Sequence, residues 1–250
     1  MINIDYSNKF FIFIRAIIIF LGLKKIFYKI INNSSGKNYE IKFSRIMLSK
    51  IKHNDIVWDI GANVGFYTKK FHKLIKINSR DKHLKKNGCI VAFEPDPHAI
   101  KKLKKKFYNK KNILLLRYAL SDINNNSSEF TDDPSSPTNQ LVNVNKRDFS
   151  NQKTIKVRVA KADTLIKKLN LLTPNIIKID VEGFEFEVLN GMKKILKQKT
   201  LREIFVEVHF AKLKKKKLKN VVFLICKILK DNKFSISWLD PSHLRAFRKN

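Results

Sequence analysis

Two stretches of this 250-residue chain carry glycines, acids and a histidine at spacings that could do chemistry. The first is Asp59-Ile60-Gly61-Ala62-Asn63-Val64-Gly65, which ends an apolar run containing Ile56 and Val57 and then turns helical. Gly61 and Gly65 can take positive φ and leave the main chain open to a ligand. The turn is neither a GxGxxG dinucleotide fingerprint nor a P-loop ending in GKS/T, so it fits a ligand with no phosphate to cradle. Its second half is Gly88-Cys-Ile-Val-Ala-Phe-Glu94-Pro95-Asp96, a further apolar run that ends in an acid. An acid closing the second strand of a βαβ unit accepts hydrogen bonds from both ribose hydroxyls. Together the glycine turn and Glu94 describe a nucleoside site.

The second stretch is Ile176-Ile-Lys178-Ile179-Asp180-Val-Glu182-Gly183, again a buried strand that ends in acids and a glycine. Glu203–Phe210, EIFVEVHF, follows as another strand, and Glu207 and His209 are two residues apart, so they face one side. If these two strands are sheet neighbours, Asp180, Glu182, Glu207 and His209 converge beside a group-donor position. His209 or Asp180 is then the candidate general base. The plainer alternatives are acids that cap the next helix and a histidine satisfied within the core. No complete metal-ligand set is legible. Cys89 and Cys226 sit in apolar surroundings without metal spacing, which places the chain in a reducing cytosol.

The elements that must hold these residues alternate. A helix over Tyr39–Ile51 leads into strand Asp55–Ile60, helix Phe66–Ile77, a polar loop Ser79–Asn87, strand Ile90–Phe93, helix Pro97–Phe107 and strand Ile113–Tyr118. Such alternation specifies a doubly wound α/β sheet, mostly parallel, with right-handed crossovers and its ligands at the carboxyl ends of the strands. Ile123–Ile155, rich in Asn, Ser, Asp and Pro, reads as a long excursion over the mouth of the site. Thr154–Ala160 alternates as an antiparallel strand bordering it. Asp163 should cap a helix over Asp163–Leu171, and Phe184–Gln198 reads as one amphipathic helix.

With 52 Lys+Arg against 21 Asp+Glu the formal net charge is +31, which ordinarily points to a polyanionic partner. Lys, Asn and Ile are abundant throughout, however, so AT-rich coding accounts equally well for the balance. The runs Lys101–Lys106 and Lys212–Lys219 read as solvated helix faces, which makes nucleic acid the weaker partner. Residues 1–38 read as a basic hydrophobic helix with a polar hinge, ahead of a domain over 39–250. Phe10–Ile31 combines Phe, Ile and Leu bulk with Arg15, Lys24, Lys25 and Lys29. An anionic membrane surface, packing on the domain and a signal anchor all remain open for it.

The ordered set DIGANVGFYT, VAFEPDP, LLRYALSD, IIKIDVEGFEFEVLNG and IFVEVH resembles the FkbM family of S-adenosylmethionine-dependent methyltransferases, over about Asn54–Phe210. The resemblance implies a Rossmann-like class I methyltransferase fold with a seven-stranded sheet, S-adenosyl-L-methionine as cofactor, and O-methylation of a hydroxyl on a sugar, a glycan or a small natural product. It also implies that Asp59, Gly61, Asn63 and Gly65 line the methionine part of the cofactor, that Glu94 holds the ribose, and that Ser121 and Asp122 sit by the adenine. Asp180–Gly183 would face the transferring methyl. Two rival functions stand beside this reading. One is an RNA 2′-O-methyltransferase, favoured by the charge and by Lys178, Asp180 and Glu207. The other is a non-catalytic cofactor-binding protein at a membrane surface.

Overall fold

The computed structural model describes residues 37–75, 88–131, 141, 153–215 and 220–249. The first half runs α1 (Lys37–Ser49), β1 (Ile56–Ile60), α2 (Phe66–Leu74), β2 (Cys89–Phe93), α3 (Pro97–Lys106) and β3 (Ile113–Leu116). Three strands then form a unit of their own: β4 (Ala119–Leu120), β5 (Asn125–Thr131) and β6 (Thr154–Ala160). The second half is α4 (Ala162–Lys168), β7 (Ile176–Ile179), α5 (Glu185–Asn190), α6 (Lys193–Leu196), β8 (Glu203–Glu207), α7 (Phe210–Lys215), α8 (Val221–Asp231), β9 (Ser235–Trp238) and β10 (His243–Phe247).

The main sheet has seven strands in the order β3-β2-β1-β7-β8-β10-β9. β3, β2, β1, β7 and β8 are mutually parallel, and β10 is antiparallel to both its neighbours. All five residues of β1 and all four of β7 are buried, because both faces of these strands are covered; Ile, Val and Trp fill them, and the two charged exceptions, Asp59 and Lys178, pair with each other. On one face Trp58 and Phe93 pack with Leu165, Val188, Leu196, Ile225 and Leu229 from α4, α5, α6 and α8. On the other, Val57, Ile90, Ile176 and Phe205 meet Phe43 and Met47 of α1 and Tyr67 and Phe71 of α2. The order of strands reverses between β1 and β7, so the crevice of a doubly wound sheet opens at their carboxyl ends.

Several local expectations are corrected. The run Ile113–Tyr118 is cut at Leu116, where Tyr118 N–H donates to Leu116 O at 3.0 Å and the chain leaves the sheet for β4. The excursion contains regular structure: β5 pairs antiparallel with β6, and β6 pairs parallel with β4. Asp163 does not cap its own helix, whose N-cap position is held by Lys161; its carboxylate accepts from Lys194 N at 2.8 Å and Ile195 N at 3.1 Å, capping α6 instead. The expected helix Phe184–Gln198 is broken at Gly191. A Cβ there would stand 1.9 Å from Ser121 O, so close contact with the β4 end requires glycine, and the helix stops. The hairpin β9–β10 was not legible in the sequence. The amino-terminal segment Phe10–Ile31 and the loop Ser79–Asn87 lie outside the described residues.

Candidate active site

β1, β2 and β7 end side by side, and the cleft above them is lined by Gly61, Asn63, Glu94, Asp96, Tyr118, Phe130, Leu141, Asp180 and Glu182, among others. Its empty volume, open mouth included, is about 720 Å³. Gly61 has φ +76°, and a Cβ on it would lie 1.8 Å from Asp180 O, so the β1 and β7 ends touch only because this residue has no side chain. Gly61 and Ala62 N–H both donate to Phe93 O, at 3.0 and 3.1 Å, which locks the turn onto β2. Asn63 follows with φ 48°, a left-handed conformation that asparagine tolerates.

Glu94 forms the far wall. It is buried, and its two carboxylate oxygens accept from Asn63 N at 2.7 Å and Asp96 N at 2.9 Å. Each oxygen keeps a second lone pair for a ligand hydroxyl. Burial raises its pKa to about 7, against the pull of the two backbone N–H groups. Asp96 in turn caps α3 by accepting from His98 N and Ala99 N, with Pro97 in the first turn.

Not every expected cofactor residue meets the cleft. Asp59 is fully buried beneath the turn, where Thr68 Oγ1 donates to it at 2.6 Å and Lys178 Nζ lies 3.4 Å away. Gly65, φ +77°, opens α2 and packs against Leu103 of α3 and Phe107 just past its end. Ser121 and Asp122 follow the lining residue Leu120 but turn toward α5, where Asn190 Nδ2 donates to Asp122 at 3.1 Å.

On the β7–β8 side the four acid and histidine residues do converge. β7 and β8 are parallel neighbours. β8 ends at Glu207, so His209 stands just past it, yet its Nε2 lies 3.7 Å from Asp180 Oδ1, 3.4 Å from Glu182 Oε2 and 3.9 Å from Glu207 Oε1. Its Nδ1 is 2.7 Å from Oε1 of Glu185, a fully buried carboxylate that also accepts from Gly183 N at 2.9 Å. These neighbours raise the His209 pKa to about 9: the Glu185 hydrogen bond leads, overcoming the larger opposing effect of burial. Glu207 is held from behind by His243 at 3.5 Å, which is itself bound by the buried Asp240 at 2.8 Å. Lys178 is buried between Asp59, Asp180 at 3.3 Å and Gly61 O at 2.9 Å; its pKa is raised by Asp180 and Asp59 despite burial. Glu185, Asp240, His243 and Lys212, whose Nζ is 2.7 Å from Glu182, escaped sequence reasoning. Only the FEFE repeat after Gly183 hinted at Glu185.

The family model for the methyltransferase FkbM domain matches residues 59–245, from the first residue of the glycine turn to the middle of β10. The chain belongs to that family. Among curated proteins it is similar to the hexuronic acid methyltransferase AglP of Haloferax volcanii, 26% identical over 166 residues. That alignment covers 66% of this chain and 60% of the relative, so the chain spans about three fifths of the length of the protein it matches. Among solved structures it is similar to the FkbM methyltransferase of Methylobacillus flagellatus KT, with 16% identity, a TM-score of 0.49, and coverage of 79% of this chain and 44% of the other. The Aeropyrum pernix fibrillarin with natively bound S-adenosyl-L-methionine is 12% identical with a TM-score of 0.46, over 83% of this chain and 73% of its own. The α/β sheet described above, mostly parallel with one antiparallel strand, is the Rossmann-like fold expected for the FkbM domain.

Proposed function

We propose that this protein is an S-adenosylmethionine-dependent O-methyltransferase that acts on a hydroxyl of a sugar, a glycan or a small natural product. The observation that carries the reading is that one cleft has Glu94 on its β2 wall and Asp180 and Glu182 on its β7 wall, with His209 directly behind the latter. The residues present fit the cofactor. Glu94 offers paired lone pairs to ribose hydroxyls, Gly61 and Asn63 leave the main chain open, and Phe130 and Leu141 supply apolar cover. When bound, S-adenosylmethionine would supply a methyl group carried on a sulfonium, whose sulfur departs as a neutral thioether.

The chain's own part is to hold the acceptor oxygen in line and to take its proton. With its pKa near 9, His209 is already protonated at neutral pH and serves there as a positive charge beside Asp180 and Glu182. The proton therefore goes to a carboxylate, and both Asp180 and Glu182 line the cleft; Asp180 is the one also held by Lys178. The name of the curated relative makes an acidic sugar the first acceptor class to test. Lys178, buried against three acceptors, is not presented to the cleft as an RNA-directed Lys/Asp/Glu set would require, which favours the smaller acceptor. Residues 10–31 support a place beside an anionic membrane. Purified protein incubated with labelled cofactor and a panel of uronic-acid oligosaccharides, neutral sugars and total RNA tests the proposal. Label in a sugar fraction, lost in Asp180→Asn, supports it; label in RNA alone replaces it.

A further inference from the structure

In a chain of formal net charge +31 with only 21 acids, four carboxylates surround a single imidazole: Asp180, Glu182, Glu185 and Glu207. Composition does not account for that concentration. The geometry divides the four into roles. Glu185 is fully buried and engages Nδ1 of His209 at 2.7 Å, so in the neutral ring Nδ1 carries the hydrogen and the Nε2 lone pair is presented to the cleft side. Metal-binding histidines are oriented in this way, by a carboxylate on the nitrogen that does not face the ion. The other oxygen of Glu185, Oε2, is buried without a hydrogen-bond partner among the described residues.

Asp180 is divided in the same sense. Its Oδ2 is 3.3 Å from Lys178, and its Oδ1 faces His209 Nε2 at 3.7 Å. Glu182 Oε2 completes the triangle at 3.4 Å from Nε2, and one ligand atom from each of Asp180, Glu182 and His209 lies within 4.8 Å of the others. Edges of 3.4–3.7 Å are the chords between ligands about 2.2 Å from a shared centre, at angles somewhat above a right angle. We propose that Asp180, Glu182 and His209 bind a divalent cation at the mouth of the cleft, of the Mn²⁺ or Mg²⁺ class. Two carboxylate oxygens and one imidazole nitrogen suit Mn²⁺ best and leave open positions for water or an acceptor oxygen. Lys212 Nζ, 2.7 Å from the same Glu182 oxygen, and the Nε2 proton of His209 are what an incoming ion must displace.

The role of the ion rests on the methyl-transfer reading, but its binding does not. Bound there, the ion would supply Lewis-acid chemistry that lowers the pKa of the acceptor hydroxyl, so that a cleft-lining carboxylate takes its proton more readily. The test is Mn²⁺ titration of the full chain, without cofactor, followed by the loss of the free-Mn²⁺ electron paramagnetic resonance signal and by calorimetry. One site per chain is expected, with affinity at least tenfold weaker in His209→Gln and in Asp180→Asn, each shown by circular dichroism to be folded. Absence of binding, or binding unaltered in both folded variants, overturns the proposal. Cofactor affinity measured on the same samples separates the two readings. Mn²⁺ bound without any cofactor affinity upholds the ion site and sinks the methyl-transfer reading. Cofactor bound without Mn²⁺ does the reverse.

Discussion

Glu94 is asked to be a buried carboxylate and a ligand at once, and its titration exposes the conflict. Its pKa is about 7 in the folded protein, against an ordinary value of 4.5, because burial penalises the charge. Between those values the folded chain holds a proton that the unfolded chain has lost, so stability from this group falls as pH rises. Glu94→Gln removes that loss. Its melting temperature should gain on that of the wild type between about pH 5 and pH 8, as differential scanning calorimetry would show; a constant difference across that range contradicts the titration. Cofactor binding runs the other way, since the ribose needs an ionised acceptor on both oxygens. Wild-type affinity should rise from about pH 6 to pH 8, and the Glu94→Gln variant should show no such rise.

At the scale of elements, the site depends on β1 and β7 meeting at Gly61. Gly61→Ala puts a methyl group 1.8 Å from the Asp180 carbonyl oxygen at a residue with φ +76°, so the two strand ends must part. The expected cost is about 3 kcal/mol, or a melting temperature lower by roughly 6–12 °C, with the cofactor cleft widened. A melting temperature within a degree of wild type would contradict the close approach. This junction was legible in sequence because both sides of it are runs of Ile and Val ending in glycine or acid, a pattern with few alternatives. The same holds for β2 and Glu94. What stayed hidden depends on contacts between distant segments. Asp163 caps α6 across the fold, Gly191 stops a helix because Ser121 lies against it, and the hairpin β9–β10 has too few β-branched residues to announce itself. Glu185 looked like any helix-face acid until the fold put His209 against it.

Across the whole molecule, chemistry and charge are separated: acids gather at the strand ends while lysines cover the outer helices, as in α3 with Lys101, Lys102, Lys104, Lys105 and Lys106. If residues 10–31 lie against an anionic membrane as proposed, the intact protein should co-sediment with vesicles containing anionic lipid and release from them as salt is raised. Equal sedimentation with neutral vesicles would remove electrostatics from that account. The division proposed within the cleft is more fundamental, with cofactor held from the β2 side and the acceptor served from the β7 side. Calorimetric titration of S-adenosylmethionine into wild type, Glu94→Ala and Asp180→Asn tests it most directly. Glu94→Ala removes two charge-assisted hydrogen bonds of about 2–4 kcal/mol together, so its affinity should fall roughly thirtyfold or more, while folded Asp180→Asn binds as wild type does. Wild type that does not bind, or a folded Glu94→Ala variant that binds equally well, would contradict the account.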